Sequence, residues 1–246
     1  MNLLVDIGNT RVKWRFGDAT DPTERGNHPR AEMATLLTAI PASVTPAAIW
    51  VASVAGKSIA KEFAQACQQR WGLEPWFAES SAQALGLKNS YVEPERMGVD
   101  RWLAMLAAWH SRRLQVAVID AGSALTIDFV AESGQHIGGY IVPGMDSMER
   151  ALLSDTDRVR FGAAARDRLE PGCSTEAAVY NGLLLSQAGA VRLALEQVSG
   201  DCKLVFSGGN GPLLCECLGL GGSVETDLVL NGLVLLATEL APGAAS

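Results

Sequence analysis

The sequence predicts an α/β protein made of two similar halves, each a mixed sheet flanked by helices. Two observations carry that expectation. A strand–Asp–x–Gly–polar turn occurs twice, nearly half a chain apart, and short apolar strands alternate with helical segments after each copy. The first copy is Leu3-Leu4-Val5-Asp6-Ile7-Gly8-Asn9-Thr10, and the second is Val116-Ala117-Val118-Ile119-Asp120-Ala121-Gly122-Ser123. Each runs on into a segment of period two. Val12, Trp14 and Phe16 oppose Arg11, Lys13 and Arg15 in the first, and Leu125, Ile127 and Phe129 oppose Thr126 and Asp128 in the second.

Such a turn presents backbone N–H groups, an amide or hydroxyl, and one carboxylate, which suits a phosphate chain with its Mg²⁺. Taken singly, either copy is as well explained as an ordinary hairpin with polar turn chemistry. The repetition favours a duplicated nucleotide-binding core, with the halves facing each other across a cleft and each turn forming one wall of the phosphate site. The expected lobes are 1–111 and 112–246, with a hinge over 108–115 that ends in Ser111-Arg112-Arg113.

The composition narrows the class. At 246 residues, 48% hydrophobic and 19% charged, the chain is long enough for a large core and far from disordered composition. A net charge of −7 argues against a general nucleic-acid binder. No apolar run reaches spanning length, because Asp120, Asp128 and Asp227 interrupt the candidates, so no membrane partner is expected. The N-terminus enters a strand without a basic-then-apolar leader, and the expected location is the cytoplasm. The five cysteines are scattered, and Cys215-x-Cys217 lacks a second ligand pair, so neither a disulfide framework nor a zinc site is expected. His28, His110 and His136 form no ligand pair and adjoin no nucleophile.

In chain order, 17–46 should hold a weak strand or loop, then a helix around Met33, Leu36, Leu37 and Ile40. Ile49–Val54 reads as a buried strand. Ile59, Phe63, Cys67 and Trp71 set a helix over 57–71 closed by Gly72, and Trp76-Phe77 is a further strand. Gly56-Lys57-Ser58 is not a P-loop, since Val51 stands where that motif needs its first glycine. Asn89 to Arg101 is a Pro- and Gly-punctuated polar stretch entering an apolar helix, which places Asp100 and Arg101 at a helix N-terminus, where an anion or polar group is naturally held. Read alone, Asp100 could equally be a first-turn acid complementing the macrodipole. In the second half, Gly138–Gly144 is a strand entering a Gly-Pro loop, and 146–170 is helix then loop. A long helix spans Glu176 to Val198 behind Ser174 and Thr175, which are caps and possible ligands. Leu204-Val205-Phe206 is a strand ending in the glycine-rich Ser207-Gly208-Gly209-Asn210-Gly211, where backbone can approach a ligand. Leu228–Leu236 is a closing helix, and 241–246 a frayed tail.

Together Asp6-Ile7-Gly8-Asn9-Thr10, Asn89-x-Tyr91-x-x-Pro94 with Gly98-x-Asp100-Arg101, Asp120-Ala121-Gly122-Ser123-Ala124-x-Thr126-x-Asp128, Gly138-Gly139 to Pro143-Gly144, and Ser207-Gly208-Gly209 resemble the type III pantothenate kinases, relatives of which are sometimes called Bvg accessory factors. The resemblance implies duplicated ribonuclease H-like lobes of the actin-like/hexokinase-like ATPase superfamily. It implies transfer of the ATP γ-phosphate to the 4′-hydroxyl of pantothenate, the first step of coenzyme A synthesis. On that resemblance Asp100 is the catalytic base, and Tyr91, Gly98, Val99, Asp100, Arg101 and Thr175 hold pantothenate. Asp6, Ile7, Gly8, Asn9, Thr10, Arg11, Val12 and Lys13, with Ser123, hold ATP. Asp120 binds a monovalent cation, K⁺ or NH₄⁺, and Asp6 meets Mg²⁺ through the nucleotide. A homodimer is implied, its substrate pocket completed by the partner subunit. The rival readings are a non-catalytic regulatory nucleotide binder of the same fold, such as a transcription accessory factor, and a kinase of another small hydroxylated metabolite.

Overall fold

A computed structural model describes residues 1–17, 25–32, 37, 40, 44–154 and 169–241. It divides into two compact units, Met1–Ser111 with Asp227–Ser246, and Arg112–Thr226. The expected helix around Met33 and Leu36, the loop after the first helix of the 146–170 stretch, and residues 242–246 of the tail lie outside the described residues.

The first unit is built on a sheet of β1 (Leu3–Ile7), β2 (Arg11–Phe16), β3 (Arg25–Pro29), β4 (Ile49–Ser53) and β5 (Trp76–Phe77), in the order β3-β2-β1-β4-β5. β2 and β3 run antiparallel to their neighbours, while β4 and β5 run parallel. Alternation along the strands sorts the side chains. Leu3, Val5, Ile7, Val12, Trp14, Phe16, Ile49 and Val51 form one core with Phe63 and Cys67 of helix α1 (Lys57–Trp71). That helix stops at Gly72, whose left-handed φ of 68° lets its N–H reach the Gln68 carbonyl at 3.0 Å.

Leu4, Asp6, Trp50 and Ala52 therefore take the other face, where α2 (Val99–His110) and α6 (Leu228–Leu240) lie. These two helices meet at backbone distance, since a Cβ on Gly232 would fall 2.0 Å from the Leu103 carbonyl oxygen. Sequence reading had grouped α6 with the second lobe, but by contact it belongs to the first unit. The reason is both apolar and ionic. Its buried face covers α2 and β1, and Asp227 at its start is gripped by Arg15 at 3.3 Å and by Arg25, while Asn231 accepts from Arg15 at 2.8 Å. A small hairpin, β6 (Gln83–Ala84) and β7 (Leu87–Lys88), completes this unit.

The second unit repeats the frame. Its strands are β8 (Val116–Ala121), β9 (Ala124–Val130), β10 (His136–Pro143), β11 (Lys203–Ser207) and β12 (Ser223–Val224), ordered β10-β9-β8-β11-β12. The directions again run two antiparallel, two parallel about the first strand. Ala117, Ile119, Leu125, Ile127, Phe129 and Phe206 form a core with Leu183, Leu184, Ala188 and Val191 of α4 (Thr175–Leu195) and Leu214 of α5 (Gly211–Leu218). α3 (Met145–Ser154) follows β10. The expected boundary of α4 moves only slightly, because Ser174 caps it by accepting from the Ala177 N–H at 3.1 Å. α2 occupies 108–110 of the expected hinge stretch, and the units divide after Ser111. Among the described residues, no helix is long and apolar enough to cross a membrane.

Candidate active site

In the first unit the Asp6 turn lies at the carboxyl end of β1, between two ladder partners. Asp6 is in register with Lys13 on β2 and with Ala52 on β4, and the turn closes when the Gly8 N–H donates to the Arg11 carbonyl at 3.0 Å. Glycine at 8 suits this closure, since a Cβ there would sit 3.1 Å from that same oxygen. Asn9, Thr10 and Arg11 are exposed, and Asp6 is half-buried. Arg11 is steered sideways onto β3, its Nε donating to Asn27 Oδ1 at 2.5 Å and its Nη2 to the Asn27 carbonyl at 3.0 Å. Ile7 and Val12 are buried and anchor the turn to the core.

The Asp100 loop reaches the same end of the same sheet. The Val54 N–H donates to the Ile7 carbonyl at 3.1 Å, and a Cβ on Gly98 would lie 3.9 Å from Val54 Cγ1. β4 thus ends beside both the Asp6 turn and the start of α2. That is the position where open α/β sheets bind ligands, outside the carboxyl ends of parallel strands.

Gly98 has a specific reason to be glycine. A Cβ there would fall 2.6 Å from Oδ1 of Asp100, so only a hydrogen at that position leaves room for the carboxylate. Asp100 Oδ1 accepts from the Arg101 N–H at 2.8 Å, in the first turn of α2, where the helix dipole favours negative charge. Arg101 is buried at 6% exposure; its Nη1 donates to Tyr91 Oη at 2.8 Å, and its guanidinium carbon sits 5.7 Å from the Tyr91 ring centroid. Tyr91 is itself set by Asn89, whose Oδ1 accepts from the Tyr91 N–H at 2.9 Å and whose Nδ2 reaches the Ser81 and Pro94 carbonyls at 3.3 and 3.4 Å. Ser80 holds the far end of the loop through the Met97 carbonyl at 2.9 Å. Val99 is buried and seats the helix start.

In the second unit the Asp120 turn is framed by backbone. Gly122 N–H donates to the Ala124 carbonyl at 2.9 Å, and Ser207 is in register with Asp120. Gly208, at φ 81°, lies so close that a Cβ would come within 2.5 Å of Asp120 Oδ1 and 2.6 Å of the Ala121 oxygen. The Asn210 N–H fixes that loop to the Ala121 carbonyl at 2.9 Å. Gly144 closes the other side, its Cβ position 2.5 Å from the Gly122 and Ser123 oxygens. Ser123 is exposed. Thr175 opens α4 behind a turn in which Gly172 lies against the helix, its Cβ position 2.2 Å from the Ala178 nitrogen.

The structure thus joins Tyr91 with Arg101, Gly98 with Asp100, and Asp120 with the Gly208 loop. It places Thr175 in the second unit and Tyr91 with Arg101 in the first. The braces Asn89, Ser80 and Gly144 were not given roles by sequence reading. Asn89 and Gly144 carried a signal, as members of the quoted motifs, and Ser80 carried none. Among the described residues no group of three or more His, Cys, Asp or Glu could hold a metal ion.

Two five-stranded mixed sheets with one strand order and one pattern of directions, each with an acidic turn after its first strand, define the duplicated fold of actin-like ATPases and sugar kinases. The chain is similar across that whole extent to a solved structure from Campylobacter jejuni, described as a conserved protein of the Baf family of transcriptional activators. The TM-score is 0.62 and the identity 20%, over 96% of this chain and 98% of that one. The family model for type III pantothenate kinase matches residues 2–197. A type III pantothenate kinase of Alcanivorax borkumensis is 37% identical over 245 residues, covering 97% of this chain and 99% of its own. One from Pseudomonas aeruginosa is 34% identical over 244 residues, covering 96% and 98%. The chain belongs to the type III pantothenate kinase family.

Proposed function

We propose that the chain transfers the γ-phosphoryl group of ATP to the 4′-hydroxyl of pantothenate, with Asp100 orienting that hydroxyl and accepting its proton. The observation that carries this reading is the start of α2, where Gly98 leaves room for the Asp100 carboxylate and the buried Arg101 guanidinium meets the Tyr91 hydroxyl and ring. A buried arginine at a helix start suits the substrate's carboxylate, and the adjacent Asp100 suits an alcohol. Gly98, Val99 and Thr175 complete the pantothenate contacts in this reading. Asp6 to Lys13 and Ser123 bind the nucleotide phosphates, through N–H groups and hydroxyls of the two turns.

Phosphoryl transfer passes through a loose transition state, so catalysis rests on positioning and charge stabilisation. An alcohol hardly ionises near neutral pH, so Asp100 needs hydrogen-bond reach and collects the proton late. Arg101, the next residue, counters the charge of a bound carboxylate. Asp120 is one carboxylate walled by the backbone of Gly122 and Gly208, a low-charge oxygen set that fits a monovalent cation such as K⁺ or NH₄⁺. Mg²⁺ would be held mainly by nucleotide oxygens, and Asp6 would meet it through the nucleotide. When bound, these cations neutralise phosphate charge. We assign the chain to a cytoplasmic homodimer without nucleic-acid or membrane partners. Its net charge of −7 supports the lack of nucleic acid, and a stripe of Gly182, Leu185, Gly189 and Leu193 along α4, with both leucines exposed, supports self-association.

A coupled assay of ADP release, with and without pantothenate, in potassium and in sodium buffer, tests this. Release that requires pantothenate and is faster in potassium is expected. Tight nucleotide binding without pantothenate-dependent release would favour the regulatory reading, and release driven by another alcohol would move the substrate.

A further inference from the structure

We infer that Gln187 is a positioning residue for the Gly122–Ser123 turn, acting through the peptide group between Pro143 and Gly144. The inference rests on the reading that Ser123 serves the nucleotide.

Gln187 lies on the inner face of α4 at 2% exposure, flanked by Leu183, Leu184, Ala188 and Val191 of the second core. Its Nε2 donates to the Pro143 carbonyl at 3.2 Å, and its buried Oε1 has no hydrogen-bond partner among the described residues. A buried amide left half-satisfied is a poor choice for stability alone. Leucine or methionine would fill the same volume and leave no orphaned oxygen. The useful half is the donor. The carbonyl it holds belongs to the same peptide group as the Gly144 N–H, and that N–H donates to the Ser123 carbonyl at 3.3 Å. No peptide among the described residues is cis, so the C=O and N–H of this group point in opposite directions. The result is one relay: the Gln187 amide, the 143–144 peptide plane, then the Ser123 carbonyl.

The relay has little slack. Gly144 touches the turn at backbone distance, its Cβ position only 2.5 Å from the Gly122 and Ser123 oxygens. Ser147, in the first turn of α3, donates a second, longer bond of 3.4 Å to the same Ser123 carbonyl. Turning that carbonyl toward Gly144 fixes the plane of the 123–124 peptide, and with it the direction in which the Ala124 N–H is offered beside the Ser123 side chain. A rotation of the 143–144 plane would pass to the turn. Gln187 is what opposes that rotation from the core side, and hydrogen bonds in such a chain strengthen one another.

The test replaces the donor and keeps the volume. In the full-length protein, Gln187→Met should raise the KM for ATP about three- to tenfold, leave the KM for pantothenate within twofold, and leave the melting temperature unchanged or higher. Gln187→Glu, which sets an acceptor against the Pro143 carbonyl, should raise the KM for ATP further at pH 8. That defect should ease toward pH 6 as the buried acid takes up a proton and donates again. An unchanged ATP KM in both variants overturns the inference, and so does an ATP defect that appears only with a large loss of melting temperature, since that marks a packing role. Ser123→Ala run alongside separates the two claims. If it weakens ATP while the Gln187 variants do not, the relay fails and the nucleotide reading stands. If neither Ser123→Ala nor the Gln187 variants affect ATP, both fail.

Discussion

The two acidic turns sit on the same frame and are finished by different means. In the first unit the turn spans Gly8 to Thr10 and closes on Arg11, and its neighbourhood is supplied by side chains: Lys13 across the ladder, Tyr91 on the excursion between β5 and α2, and Asp100 and Arg101 in the first turn of α2. In the second unit the turn is only Gly122-Ser123, closing on Ala124, and its neighbourhood is supplied by backbone, with Gly208 and Gly144 pressed against it. The first unit carries charged, titratable groups near its turn, and the second packs peptide groups against its turn.

The contrast predicts that substitutions in the 89–101 loop of the first unit mainly change handling of the alcohol. The largest effect is expected from Asp100→Asn. Turnover should fall at least 10²-fold and up to about 10⁴-fold with nucleotide affinity nearly unchanged, measured by coupled assay and by calorimetric titration with ADP. Turnover close to wild type would remove Asp100 from the base role. Gly98→Ala comes next. A methyl group 2.6 Å from Asp100 Oδ1 must displace the carboxylate, and a shift of about 1 Å at the reacting group is worth on the order of 10²-fold in kcat. Arg101→Lys keeps the charge but loses the planar fork and the stacking on Tyr91; the KM for pantothenate should rise roughly tenfold while that for ATP stays put. An equal rise in both constants would erase the proposed division of labour.

Two smaller effects probe the frame beneath the first turn. Gly232→Ala forces a carbon into the contact with the Leu103 carbonyl and should destabilise by about 1–3 kcal/mol, read as a lower midpoint in urea. Burial pushes the Cys67 thiol up to about 12, against a smaller opposite pull from Arg70. The unfolded chain loses that proton near the ordinary value of 9.0, and the folded chain keeps it until about 12. This thiol's contribution to stability is therefore complete below pH 9 and declines as the pH climbs above it, and Cys67→Val should flatten that decline. At pH 8, exposed Cys173 should react with a thiol reagent long before Cys67 does.

Much of this frame could be read from residues alone, because local pattern and fold agreed. The period-two runs after Asp6 and Asp120 gave both hairpins, and the spacing of Ile59, Phe63, Cys67 and Trp71 gave α1 with its Gly72 stop. The Pro- and Gly-punctuated stretch entering an apolar helix placed the acid at a helix start. What could not be read depends on long-range contact. α6 joins the first unit because Asp227 meets Arg15 and Arg25 some two hundred residues away, and because Gly232 fits against Leu103, and no local pattern encodes either. Gly144, Gly208 and Gln187 are in the same position. Their neighbours are distant in sequence, so a glycine looks like a turn and a buried glutamine like a surface residue until the sheets are assembled.

The central claim is that both acidic turns serve the nucleotide while the 89–101 loop serves the acceptor. Hydrogen–deuterium exchange on the full-length protein tests it most directly. A non-hydrolysable ATP analogue with Mg²⁺ should protect peptides covering 6–13 and 120–124 together, and pantothenate should add protection over 89–101. Protection of one turn without the other, or an 89–101 loop indifferent to pantothenate, would contradict the account.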